Sequence, residues 1–360
     1  MEGAKNTMEE WKRLVRDTIN TPEKLAELFD VDVDEMRKVH EVFPIRINPY
    51  YLSLIEKPGD PIWKQVVPDI RELYRTGFEE DDPLAEEDDS HVRNVTHRYP
   101  DRALFYVNYM CPIYCRFCTR KRKVGDPDSI PEDNIERGLE YLRSHPEIRD
   151  VIVSGGDPLM LTDKKIDYII SSIRSIEHIE IIRIGSRVPV TLPQRITPEL
   201  CAILKKNHPF YINTHFNHPR EITPETTKAC GMLVDAGIPV GNQCVLLRGV
   251  NDSPAVMVEL MKKLLKIRVR PYYIYQADLV FGTDHFRTSV KKGLEIVAAL
   301  RGHISGLGVP HYVIDAPGGG GKIAIMPNPI VSFNDKEIRL RNYEGNIYTY
   351  PSTPFYEEDW

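Results

Sequence analysis

The chain has 360 residues, 41% of them hydrophobic, which suffices for one large domain with a sizeable core or for two smaller ones. Forty-seven Lys and Arg against 53 Asp and Glu leave a net charge of −6, which speaks against a general nucleic-acid binder, and no stretch approaches the roughly 20 apolar residues of a membrane span. Met1–Leu14 is charged and lacks the apolar run of a signal peptide, and three of the six cysteines fall within eight residues, so a soluble, cytoplasmic chain that uses thiols for metal ligation rather than for disulfides is expected.

Residues 1–95 read as a polar helical region. Helices are expected at Met8–Ile19, at Thr21–Leu28 with Thr21 as N-cap and Pro22 in the first position, and at Val33–Val42. Glu79–Asp89 is acidic without apolar periodicity and reads as a surface loop. From Ala103 onward, short apolar runs alternate with amphipathic helices. Strands are expected at Leu104–Tyr109, Asp150–Ser154, Ile179–Ile184, Phe210–Thr214, Val240–Leu247 and Val269–Tyr275. Helices are expected at Glu132–His145, Lys164–Ser175, Pro198–Asn207, Pro224–Ala236, Pro254–Ile267 and Val290–Leu300, and His311–Asp315 is a candidate extra strand. Such alternation specifies an α/β fold with a parallel sheet and right-handed crossovers, but six repeats are too few for a closed eight-stranded barrel. The expectation is a partial (β/α)6 TIM-like barrel over residues 96–325, followed by a C-terminal extension over residues 326–360. In such folds chemistry gathers in the loops after the strand C-termini.

The first of those loops carries Cys111, Cys115 and Cys118 in the spacing CxxxCxxC. A structural zinc site takes four protein ligands, whereas a four-iron cubane held by three thiolates keeps one iron open to another molecule. Cys201, Cys230 and Cys244 fall in helix or strand patterns and read as buried small hydrophobes. After the second strand comes Ser154-Gly155-Gly156-Asp157-Pro158, by itself an ordinary turn. Asp315-Ala-Pro-Gly318-Gly-Gly-Gly321-Lys322 is not a Walker A loop, because Ala316 and Ile323 stand where glycine and Ser or Thr are needed. It suits a lysine that forms a Schiff base with pyridoxal phosphate (PLP).

The cysteine spacing with Phe117 before the last cysteine resembles the signature of radical S-adenosylmethionine (SAM) enzymes. Together with the SGGDP and DAPGGGGK runs, and with matching stretches from His97 to about Asn342, it resembles the lysine 2,3-aminomutase family. The resemblance implies a [4Fe–4S] cluster on Cys111, Cys115 and Cys118, with SAM on the open iron. Its amino group would meet Gly155, Gly156 and Asp157, a carboxylate facing an ammonium. Lys322 would carry PLP, Arg98 would contact the PLP phosphate with Gln243 nearby, and Ser186 and His215 would line the shared pocket. Arg120 would clamp the substrate carboxylate, and Asp278 and Asp315 would hold the ε-ammonium of L-lysine. Glutamate-specific relatives carry a non-acidic pair there, while a guanidinium substrate such as arginine also suits two carboxylates. The resemblance further implies 1,2-amino migration to β-lysine, a reduced flavodoxin or ferredoxin-type electron donor, and a homo-oligomer.

Two departures from the family pattern stand out. Phe117 replaces a histidine, and the tail Asn342–Trp360 lacks cysteine while Ser253 replaces a cysteine partner, so zinc is not expected. A non-catalytic electron carrier is the alternative from another class. Such carriers normally saturate their irons with protein ligands, which three cysteines and a PLP-type lysine argue against.

Overall fold

The computed structural model describes residues 10–125 and 132–351. Nine strands form one sheet in chain order: β1 (Val95–Tyr99), β2 (Arg102–Asn108), β3 (Asp150–Gly155), β4 (Ile181–Gly185), β5 (Phe210–Thr214), β6 (Val240–Leu246), β7 (Arg270–Gln276), β8 (His311–Ala316) and β9 (Gly321–Ala324). Strands β2 to β8 run parallel, and β1 and β9 lie antiparallel at the two edges. The α/β partial barrel therefore has seven parallel strands, one more than the six of the (β/α)6 expectation, because His311–Asp315 joins the sheet. The sheet curls until its edges touch: Lys322 N on β9 donates to Tyr99 Oη on β1 at 3.0 Å, without a ladder between the two strands.

Six helices make the crossovers: Glu132–Ser144, Asp163–Arg174, Pro198–Lys205, Pro224–Asp235, Pro254–Lys266 and Val290–Leu300. Their starts are written locally. Thr162, Thr197 and Thr223 each accept a backbone N–H from the first turn, and Pro follows Thr197, Thr223 and Ser253 at the first helical position, where its missing N–H costs nothing. Along Asp163–Arg174, Ile166, Ile169, Ile170 and Ile173 recur at helical spacing and are all buried against the sheet, each contributing roughly 1.5–3 kcal/mol. On β6 burial alternates: Val240, Cys244 and Leu246 join the core under the helices, and Gly241, Gln243 and Val245 line the concave face.

The N-terminal region has the helices expected at Val33–Val42 and, shortened to Pro22–Ala26 behind the Thr21 cap, at Thr21–Leu28. The expected Met8–Ile19 helix is described at 10–16; Met8 and Glu9 lie outside the described residues. This region carries apolar packing of its own. Leu25, Ile45, Ile47, Tyr51, Ile62 and Val66 form a second core that also takes in Ile113 of the cysteine loop. Its end is also not helical: Val95–Tyr99 is edge strand β1. The C-terminal extension is an antiparallel meander of β10 (Ile330–Phe333), β11 (Glu337–Arg341) and β12 (Ile347–Pro351), exposed on most of its surface. The end of the tail Asn342–Trp360, from residue 352 onward, lies outside the described residues. Among the described residues no helix is long and apolar enough to cross a membrane.

Candidate active site

Cys111, Cys115 and Cys118 are free, partly buried thiols in the loop after β2. Two backbone bonds moor this loop to the N-terminal region: Tyr114 N donates to Arg46 O at 2.9 Å, and Arg116 N donates to Gln65 O at 2.8 Å. A buried charge cluster fixes it further. Glu72, wholly buried, accepts from Arg116 Nη2 and Lys121 Nζ, each at 2.6 Å, and Arg116 also donates to the carbonyls of Phe43 and Pro44. Burial opposes the Glu72 charge, but the two cations outweigh it and hold the carboxyl below its usual range. Burial lowers Lys121 to about 8. Among the described residues no three His, Cys, Asp or Glu groups sit close enough to share one metal ion; a cubane spreads its thiolates over separate irons.

Gly155 and Gly156 pack against the strand that leads into the cysteine loop. A Cβ at Gly155 would lie 2.0 Å from Asn108 O, and one at Gly156 would lie 2.6 Å from Met110 O. Gly155 also has φ +136°, which disfavours any side chain. The Asp157 carboxylate is engaged within the protein. Oδ1 accepts from Ser186 Oγ (2.7 Å) and Leu159 N (3.1 Å), and Oδ2 accepts from Arg187 N (2.7 Å) and Val188 N (3.0 Å). Four protein donors occupy its lone pairs, so Asp157 and Ser186 together bind the β3 and β4 loops to each other. Burial pushes the Asp157 carboxyl up to about 6 against the pull of those donors.

His215 follows β5. Its Nε2 sits 2.9 Å from Asn217 Oδ1, an oxygen that also accepts from Val245 N, so Nε2 is assigned the hydrogen and Nδ1 keeps a lone pair. Burial, with the neighbouring Arg187 charge, lowers His215 to about 3 and keeps it neutral. Its ring lies 5.4 Å from that of Phe117, so the aromatic before the last cysteine has a partner on the facing loop. Gln243 projects from the concave face of β6.

The glycine run and Lys322 form a hairpin. Asp315 on β8 pairs in register with Lys322 on β9, and Lys322 Nζ donates to Asp315 Oδ1 at 2.9 Å, 5.4 Å from the Tyr275 ring. Lys322 thus stands on an edge strand rather than within a loose loop. Gly319 (φ +86°) allows close approach of Arg98, whose guanidinium would lie 2.8 Å from a Cβ there. Asp278, after β7, accepts from Thr119 Oγ1 at 2.9 Å. Burial, and then the charge of Asp315, push Asp278 up to about 6. The two carboxylates share a cavity of about 310 Å³ with Leu84, Gln276, Arg287 and Thr288. In its wall Arg287 Nε and Thr288 Oγ1 are buried and have no partner among the described residues.

The acidic run Glu79–Asp89 leaves Glu80, Asp81, Glu87 and Asp88 exposed, as a surface loop would, but turns Glu86 inward. Glu86 is 5% exposed and takes the Nε and Nη2 edge of Arg120 at 2.6–3.1 Å. Burial works against the Glu86 charge, and Arg120 more than offsets it. Asp89 pairs with Arg98 at 2.7 Å, and Pro83 O accepts from Gly318 N at 3.1 Å. One acidic strap therefore touches Arg98, Arg120 and the glycine hairpin.

Comparison with known proteins places the chain in a family. Residues 105–261 match the Radical SAM superfamily model, and residues 297–359 match the Lysine-2,3-aminomutase model. The L-lysine 2,3-aminomutase of Clostridium subterminale is 53% identical over 95% of this chain and 83% of its own length. That of Methanococcus maripaludis is 57% identical over 88% and 74%, and the glutamate 2,3-aminomutase of Clostridioides difficile is 44% identical over 93% and 80%. The chain belongs to the lysine 2,3-aminomutase family. As a radical SAM protein it is an enzyme whose family implies a four-iron cluster and SAM, and the thiol-only donor set of the cysteine loop fits such a cluster.

Several residues of this aminomutase-family site escape sequence reasoning. Glu86 is hidden in a charge run, and Tyr99 meets Lys322 only because the sheet curls. Thr119 touches Asp278 across 159 positions. Arg287 and Thr288 fall in a stretch that matches the family, yet only their orphaned polar atoms mark them as cavity wall.

Proposed function

We propose that the chain is an L-lysine 2,3-aminomutase that makes β-lysine with a [4Fe–4S] cluster, SAM and PLP. The observation that carries the reading is a cavity lined by Asp278 and Asp315, with Lys322 paired to Asp315 from the neighbouring strand. PLP, when bound, holds the substrate amino nitrogen and lets it migrate between neighbouring carbons, while the cluster and SAM supply the radical. Lys322 is the PLP anchor, Arg98 is the phosphate contact, and Gln243 would lie near that phosphate. Asp278 and Asp315 would take the substrate ε-ammonium between them, two carboxylates facing one cation. Glu86 fixes one edge of Arg120 and leaves the Nη1 corner for the substrate carboxylate. Gly155 and Gly156 shape the SAM side of the site, with His215 and Phe117 facing it.

A ferredoxin or flavodoxin type of donor would reduce the cluster, and the setting is the cytoplasm. A homo-oligomer is supported by the apolar side chains that β10–β12 leave exposed, among them Ile330, Phe333, Tyr348 and Tyr350.

The test is an anaerobic product assay with protein reconstituted with iron, sulfide and PLP and supplied with SAM, reductant and L-lysine. β-Lysine formation that needs both SAM and PLP, with Lys322→Ala losing both the bound-PLP absorbance and the product, is expected. Turnover of glutamate or arginine in place of lysine would overturn the reading of Asp278 and Asp315. Retention of covalent PLP by Lys322→Ala would overturn that of Lys322.

A further inference from the structure

A buried guanidinium stands against the cysteine loop without a part in the roles above. Arg187, in the loop after β4, donates from Nη1 to Cys115 Sγ at 2.8 Å. Its place does not depend on that thiol. Nη2 donates to Glu221 Oε1 at 2.7 Å, to Gln65 Oε1 at 2.5 Å and to Tyr51 Oη at 3.3 Å, and Nε donates to His215 O at 3.0 Å. Glu221 is wholly buried and equally fixed: Oε1 accepts from Tyr51 Oη at 2.6 Å, and Oε2 accepts from Asn217 N and His218 N at 2.5 and 2.8 Å. The guanidinium also lies 5.1 Å from the Phe117 ring, so it is flanked by two residues of the CxxxCxxC run.

We propose that Arg187 is a positioning residue that sets the reduction potential of the cluster through its hydrogen bond to the Cys115 sulfur, with Glu221 as the opposing charge. The inference rests on the reading of Cys111, Cys115 and Cys118 as cluster ligands. Hydrogen bonds to the ligand sulfurs, and the net charge around them, set the potentials of iron–sulfur centres. A fixed cation in a dry site favours the cluster state that holds one more electron. Glu221 sits on the far side of the same guanidinium and offsets part of that charge, so removing either partner moves the potential in opposite directions. A purely structural part in packing the loop predicts no such opposition of sign.

The test is a redox titration of the reconstituted full-length protein, followed by the electron paramagnetic resonance signal of the reduced cluster, with and without SAM. Arg187→Gln is expected to move the midpoint to more negative values, so that at a fixed potential the ratio of reduced to oxidised cluster falls about tenfold, equivalent to 59 mV for one electron. Arg187→Lys is expected to restore most of the shift, and Glu221→Gln to move the midpoint the other way. Iron content per chain reports cluster loading separately. A wild-type chain that takes up no four-iron cluster would sink the cluster reading itself. Should Arg187→Gln fail to retain the cluster, the sign of the Glu221→Gln shift decides. Unchanged midpoints, shifts of the same sign in both variants, or loss of SAM affinity at constant potential would overturn the assignment.

Discussion

The two ends of the site are prepared to different degrees. Around the cysteine loop the key buried charges already have protein partners: Glu72 holds Arg116 and Lys121, and Glu221 holds Arg187. Around the β8–β9 hairpin the balance is incomplete. Among the described residues Asp278 accepts only from the Thr119 hydroxyl, burial and then the Asp315 charge push its pKa up against the pull of Lys322, and Arg287 Nε and Thr288 Oγ1 have no partner. A loop that must hold its thiols in place gains from a finished scaffold. A pocket that must favour a cation gains from a second carboxylate beside Asp278, because an arriving cation relieves the repulsion between them.

The largest effect that would break this contrast is at the finished end. Glu72→Ala leaves two cations buried without their carboxylate, and a loss of about 3–5 kcal/mol is expected, read by denaturant unfolding. A change below about 1 kcal/mol would show that charge pairing does not hold the loop.

At the unfinished end, Asp278→Asn and Asp315→Asn are each expected to raise KM for lysine with little change in overall stability. A charge-assisted hydrogen bond of about 1.5–3 kcal/mol corresponds to roughly 10–100-fold. The pH dependence sharpens the point. The ε-ammonium needs an ionised Asp278, whose pKa is about 6, so lysine affinity holds above that pH and falls as pH drops through it. Burial is the larger cause of the raised value and the Asp315 charge the next, so in Asp315→Asn the fall moves to lower pH. An unmoved profile would remove the coupling between the two carboxylates.

The smallest effect belongs to Thr119→Val. Its hydroxyl lowers the Asp278 pKa, so its loss is expected to weaken lysine binding by about 0.5–1.5 kcal/mol, a few-fold to about tenfold in KM, and to move the acid fall to higher pH. A shift in the opposite sense would mean that Thr119 does not serve Asp278.

By itself the sequence determined whatever is written in short spacings. The CxxxCxxC run, the helix starts with Thr or Ser before Pro, the isoleucines of Asp163–Arg174 and the order of strands and crossovers follow from local periodicity and turn chemistry. Only the tertiary structure decided what depends on distant segments meeting. Val95–Tyr99 and Gly321–Ala324 become strands because edges exist to receive them, and Tyr99 meets Lys322 across 223 positions only because the sheet curls. Glu86 looks like one charge in an acidic run until Arg120 covers it, and nothing in the SGGDP run announces the four donors from the β3 and β4 loops that meet the Asp157 carboxylate. The partner that buries or saturates a polar side chain lies far along the chain, and local pattern carries no record of it.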